Sequence, residues 1–242
     1  MFVRKICFVL AAILVSSSAL PSPAQKLVVI DVTQSKTRPG TTSAYGETEW
    51  DFNRVVGADL DAALRARGFA TRVVIADANS RAELSIVDRM KQFAGASLVV
   101  SVAGDSMPGH YYKYWNASGR RTAYVDRFSG YSVSVSKVAQ SEDSLLCGVA
   151  IASALRLSGY RSSDHRPELV VVGDHAAAIA DADGPVFFDE SYSPLKLASV
   201  PIVLLEAGVL QNPDDETLLR QVPYRKAMLD KVAAGIVGCL GN

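Results

Sequence analysis

Lys26-Leu27-Val28-Val29-Ile30-Asp31 is an apolar run closed by an acid, and it reads as a buried strand. A loop rich in Thr, Ser and Gly follows, from Val32 to Gly46. From Glu47 to Arg67, Trp50, Val55, Val56, Leu60 and Leu64 recur mostly at three- and four-residue spacings. That spacing predicts an amphipathic helix, ended by Gly68. Phe69 to Ile75 reads as a second strand, and Ser80 with Glu83 as a capping box for a helix reaching about Ala94. Ser97 to Val102 is a third apolar strand. Strands alternating with helices at this spacing predict an α/β domain: a doubly wound, mostly parallel sheet with helices on both faces.

The rest of the chain extends this frame. Ala103 to Arg121 reads as a long loop carrying Tyr111, Tyr112, Tyr114 and Trp115. Tyr131 to Ser136 alternates apolar and small polar residues, which predicts a strand with one wet face. Ser144 to Leu157 is expected to be helical, Glu168 to Val172 a strand, and Gly173 to Ser199 an irregular, acidic insert over the cleft or a solvated loop. Pro201 to Glu206 reads as a strand ending in an acid, and Glu216 to Leu240 as helical. No repeat or low-complexity linker divides the chain, so residues 25–242 read as one domain.

Composition bounds the function. The 242 residues carry 25 basic and 25 acidic side chains, which excludes the strongly basic footprint of a nucleic-acid binder. Residues 1–24 read as a secretory signal peptide: Arg4 and Lys5, an apolar run from Ile6 to Val15, then Ser22-Pro23-Ala24. The run is too short to span a bilayer. The expectation is an exported protein, periplasmic or secreted, with no transmembrane anchor after cleavage. Cys147 and Cys239 then remain, on apolar helical stretches, as either a disulfide or two buried thiols.

Ligands of doubly wound sheets sit beyond the carboxyl ends of the strands. Four places there are informative: Asp31 with its loop to Gln34, Glu49 at the first helix, Ala103 to Asp105, and Glu206. An acid such as Glu206 points into the cleft or caps the next turn. Only three His occur, at 110, 165 and 175, all expected in solvated loops.

In that order the segments resemble the zinc-dependent N-acetylmuramoyl-L-alanine amidases that cut peptidoglycan. Leu27 to Asp31 resembles the family's first strand. Gly46-Glu47-Thr48-Glu49 with Asn53 resembles its Gly-x-x-Glu…Asn stretch, and Ser101 to Asp105 its Ser-Ile-His-Ala-Asn segment. Gly130 to Val135 resembles the next strand, and Leu204 to Asn212 the Val-Glu-x-Gly-Phe-Leu-Ser-Asn stretch. The resemblance implies Glu49 as a zinc ligand and Glu206 as the catalytic base.

It also implies His ligands where this chain has Gln34 and Ala103, so Glu49 is the only family ligand kept. A catalytic zinc uses about three protein ligands and an exchangeable water. The expectation is therefore a domain without cofactor. Its cleft, around Gln34, Glu49, Asn53, Asp105 and Glu206, would bind peptidoglycan, a muropeptide or a cell-wall protein partner. Two alternatives stand beside it. One is an active amidase whose zinc site is rebuilt with His110; the other is an interaction protein using the aromatic loop 111–115.

Overall fold

In a computed structural model of the chain, residues 25–76, 84–117, 119–138, 141–163, 165, 178–181 and 186–241 are described. The proposed signal peptide, the Ser80/Glu83 capping box, the Glu168–Val172 strand and His175 lie outside them.

The apolar run at the start forms β1 (Leu27–Val32), and the amphipathic stretch forms α1 (Glu49–Arg65). Thr48 caps α1 by accepting the Asp51 N–H, with Glu49 and Asp51 in the first turn where the helix dipole favours acids. Next come β2 (Ala70–Ile75), α2 (Ile86–Lys91) and β3 (Leu98–Asp105). The cap of α2 is Ser85, which accepts from the Asp88 N–H, so this helix starts later than the Ser80 reading expected.

The expected long loop after β3 is ordered differently. It contains a 3₁₀ turn at Gly109–Tyr111 and an antiparallel hairpin of β4 (Lys113–Ala117) and β5 (Arg120–Tyr124). Then follow β6 (Ser132–Val135), α3 (Ser141–Leu157), β7 (Ala178–Asp181), β8 (Val186–Phe188), α4 (Ser193–Leu197) and β9 (Ile202–Val209). The described part of the 173–199 insert thus contributes two strands and a short helix rather than irregular chain. The C-terminal helical region starts earlier than Glu216 and is split in two: α5 (Pro213–Arg220), capped by Asn212, and α6 (Val222–Leu240), with Pro223 in its first turn.

Among the described residues, seven strands form one sheet in the order β2-β1-β3-β9-β6-β8-β7. The pairs β2–β1, β1–β3, β3–β9 and β6–β8 are parallel; β9–β6 and β8–β7 are antiparallel. The fold is therefore the expected mixed α/β type with a mostly parallel sheet. Strand side chains alternate between the two faces. Val28, Ile30, Val32, Val100, Val203 and Leu205 pack under α1, α3 and α6. Val29, Val74, Val99, Ile202 and Leu204 pack on the other face with Phe93 and Leu195.

Helices α3 and α6 cross closely at Gly235, where a Cβ would meet the Ile151 Cα at 2.6 Å. Cys147 of α3 and Cys239 of α6 are joined beside that crossing, with Cα atoms 5.0 Å apart. The predicted wet face of β6 is corrected: Ser132, Ser134 and Ser136 are all buried. Ser132 donates to Glu206, and Ser136 to the Glu190 carboxylate at 3.1 Å, so carboxylates rather than water meet these two hydroxyls.

Candidate functional site

At the carboxyl ends of β1, β3 and β9 lies a cleft of about 340 Å³, within the range of small-ligand sites. Thr33 and Gln34 follow β1, Glu49 opens α1, and Ala103 to Ser106 end β3. Glu206 comes from β9, and Asp189, Ser191 and Tyr192 from the segment after β8. Gln34, Glu49, Asp105 and Glu206, singled out in the sequence, are thus brought together. Asn53 lies one turn along α1 beneath them and does not line the cleft. Glu206 does not end its strand: β9 runs on to Val209. In register it stands between Ala103 of β3 and Ser132 of β6.

Glu49 is held by four donors of this chain. Its Oε2 accepts from Gln34 Nε2 at 3.2 Å and the Thr41 N–H at 3.1 Å. Its Oε1 accepts from Asn53 Nδ2 and the Gly104 N–H, both at 3.4 Å. A carboxylate offers about four lone-pair sites, so this set saturates it. Burial pushes the Glu49 carboxyl above the usual range, and these four hydrogen bonds oppose the rise. Asn53 also donates to Thr33 Oγ1 at 2.9 Å, tying α1 to the end of β1.

The backbone here is unusual. Gln34 has φ +66°, the only positive value at a non-glycine among the described residues. Gly40, at φ +76°, packs over it: a Cβ there would lie 2.9 Å from the Gln34 side chain. Strained conformations of this kind concentrate at functional sites.

His165, expected in a solvated loop, is instead 2% exposed and lines the cleft. Its Nδ1 lies 3.3 Å from Asp105 Oδ2 and 2.7 Å from Ser163 Oγ. Serine and acid meet the same ring nitrogen, whereas a catalytic triad uses the two nitrogens separately. His110 is exposed in the 3₁₀ turn, stacked 4.0 Å from Tyr111, and does not line the cleft. Asp189 was also missed as a lining residue. Its Oδ1 accepts the Ser191 N–H at 2.7 Å, an Asx turn that Asp-x-Ser could have signalled.

Carboxyls at 49, 105, 189 and 206 and one imidazole line the cleft, with no Lys or Arg among its lining residues. Among the described residues, no group of three or more His, Cys, Asp or Glu is arranged to hold a metal ion. Below the cleft, Asp31 accepts hydrogen bonds from Nε and Nη2 of Arg89, at 3.0 and 2.7 Å, and from the Ser101 hydroxyl at 2.9 Å. The Tyr192 hydroxyl lies 3.2 Å from Asp31 and 3.0 Å from Arg89, so this ion pair anchors the segment that walls the cleft.

The aromatic loop mostly turns inward. Trp115 Nε1 donates to the Ala44 carbonyl at 2.8 Å, and its ring packs between Tyr45 and Tyr124. Tyr111 meets Phe128 edge-on at 5.0 Å. Tyr114 stays exposed under the Arg121 guanidinium, 4.4 Å from the ring.

Comparison with known proteins agrees with the fold. The chain is similar in structure to the amidase Ami1 of Mycobacterium smegmatis, with a TM-score of 0.66 and 21% identity over 89% of this chain and 97% of that one. It is also similar to the amidase AmiC2 of Nostoc punctiforme, with a TM-score of 0.64 and 15% identity over 90% and 98%. A third similar structure is the CwlD amidase of Clostridioides difficile in complex with the GerS lipoprotein, with a TM-score of 0.62 and 16% identity over 89% and 98%. At these identities the likeness shows the fold. No curated protein matches the chain by sequence. The family model described as N-acetylmuramoyl-L-alanine amidase matches residues 28–237, nearly all of the chain after residue 24, and so this chain belongs to the N-acetylmuramoyl-L-alanine amidase family.

Proposed function

We propose that this chain is an exported, non-hydrolysing amidase-family domain that binds peptidoglycan-derived peptide in the cleft of Gln34, Glu49, Asp105 and Glu206. The observation that carries the reading is the saturation of Glu49 by Gln34, Thr41, Asn53 and Gly104. The family's zinc chemistry would activate a water for attack on an amide. Here Ala103 offers no donor atom, Gln34 spends an amide proton on Glu49, and Glu49 has its lone pairs occupied. The residues present do not fit that ion. Glu206 remains as an acceptor beside Ser132, suited to hold a ligand N–H rather than to serve an activated water.

Export rests on residues 1–24 and on the wall-directed family. Among the described residues no helix is long and apolar enough to cross a membrane. One of the similar structures is a complex with a lipoprotein, which supports a wall-protein partner as a further occupant of this domain's surface. A second reading, an active amidase with a rebuilt metal centre, draws its support from His165 beside Asp105 in the cleft, and not from the exposed His110. The aromatic-loop reading is supported least, because Tyr111 and Trp115 spend their rings on the fold.

The deciding experiment incubates the purified protein with peptidoglycan sacculi. Co-sedimentation without release of soluble peptide is the expected result. Release of peptide that is lost in a Glu206→Gln variant would establish the active reading instead.

A further inference from the structure

We infer that the Gln34 carboxamide reads one residue of an extended bound peptide, its Oε1 accepting that residue's N–H and its second Nε2 proton going to the same residue's C=O. This deepens the peptide-binding reading of the cleft and rests on it. Three observations converge on the residue. The first is its backbone: φ +66° places a side chain with a Cβ in a region that favours glycine, and the packed surroundings hold it there. The second is its hydrogen bonding. The Gln34 side chain makes one hydrogen bond among the described residues, from Nε2 to Glu49 Oε2 at 3.2 Å. That bond fixes the plane of the carboxamide and leaves one N–H donor and the Oε1 acceptor for a ligand. A primary amide with one free donor and one free acceptor is complementary to one residue of an extended chain, whose own N–H and C=O point to the same side.

The third observation is position. Besides the 340 Å³ cleft, a groove of about 460 Å³ runs between Arg38 and the start of α2, lined by Leu84, Ser85, Ile86 and Arg89. Among the described residues, Gln34 alone lines both hollows. An extended chain that passes from the groove into the cleft crosses Gln34, and every residue of such a chain presents an N–H and a C=O. Gly40 packs against the Gln34 side chain beside that crossing point, where a Cβ would not fit.

The test is an ester scan. A soluble muramoyl tetrapeptide, and analogues in which one backbone amide at a time is an ester, are titrated calorimetrically into wild type, Gln34→Leu and Gln34→Gly. An ester removes the donor and sets an oxygen against Oε1. In wild type one ester is expected to weaken binding by about three- to tenfold, the worth of one hydrogen bond between neutral groups. Both variants are expected to bind parent and that ester analogue equally. Glycine suits φ +66°, so Gln34→Gly keeps the comparison sound where leucine unfolds the loop. Equal sensitivity to that ester in wild type and in the variants, or no sensitivity to any ester in a wild type that binds the parent, would overturn the assignment alone. A wild type that does not bind the parent peptide would overturn it together with the peptide-binding reading.

Discussion

Two carboxyl groups, Asp31 and Glu49, are both buried near the ends of β1 and the start of α1, and both receive several hydrogen bonds. Asp31 has a cation: the Arg89 guanidinium meets it through two nitrogens, with Ser101 and Tyr192 completing the shell. Glu49 has four neutral donors and no cation. A fixed charge pair suits a structural joint, because leaving either partner alone in the interior is strongly unfavourable. Neutral donors hold a carboxyl in place without compensating its charge, and burial accordingly pushes Glu49 upward. The difference teaches that the floor of the cleft and its foundation are built on different chemistry. One anchors the wall segment at Tyr192; the other presents Gln34.

The largest expected effect breaks the charged member. Arg89→Ala leaves Asp31 buried without its cation and should lower stability by about 3–5 kcal/mol, measured by urea unfolding. It should also loosen the Tyr192 segment, raising amide exchange there. A loss under about 1 kcal/mol would show that Asp31 and Arg89 are not a structural joint. Next comes the bond between Cys147 and Cys239, which closes a sequence separation of 92 residues and joins two helices whose cysteines do not line the cleft. Replacing both by Ala should lower stability by about 2–5 kcal/mol, with peptide affinity unchanged once folded.

Glu49→Gln tests the neutral member. The shape is kept but one donor now faces an amide nitrogen, so a loss of about 1–2 kcal/mol is expected, clearly below that of Arg89→Ala. Equal losses would erase the contrast between the two carboxyls. The smallest change is Gln34→Gly. Relief of the positive φ offsets the lost hydrogen bond to Glu49, and thermal unfolding should give a net shift below about 1 kcal/mol.

Much of the frame was legible in the sequence because its signals are local. The run from Lys26 to Asp31 and the spacing of Trp50, Val56, Leu60 and Leu64 locate β1 and α1, and these place Gln34 and Glu49 at one end of the sheet. The errors arose where tertiary contacts decide. Lys113–Ala117 and Arg120–Tyr124 carry no apolar alternation, and pair through Trp115, whose ring seats on the 32–48 loop. The serines of β6 look solvated until Glu190 and Glu206 are brought over them from distant segments. His165 has no periodic context, and its burial depends on Asp105, sixty residues earlier in the chain. Order along the chain supplied the cleft's acids, whereas the second wall, at Asp189 and Tyr192, emerges only when the sheet closes around it.

We propose that Gln34 and the four-bonded Glu49 leave this cleft without zinc. The most direct measurement is the zinc content of protein purified in the presence of zinc and then desalted, by elemental mass spectrometry, for wild type and for the double variant Gln34→His with Ala103→His. No stoichiometric zinc is expected in wild type, and a bound ion is expected in the double variant. One zinc per wild-type chain, removed by a chelator and reduced by His165→Ala, would contradict it.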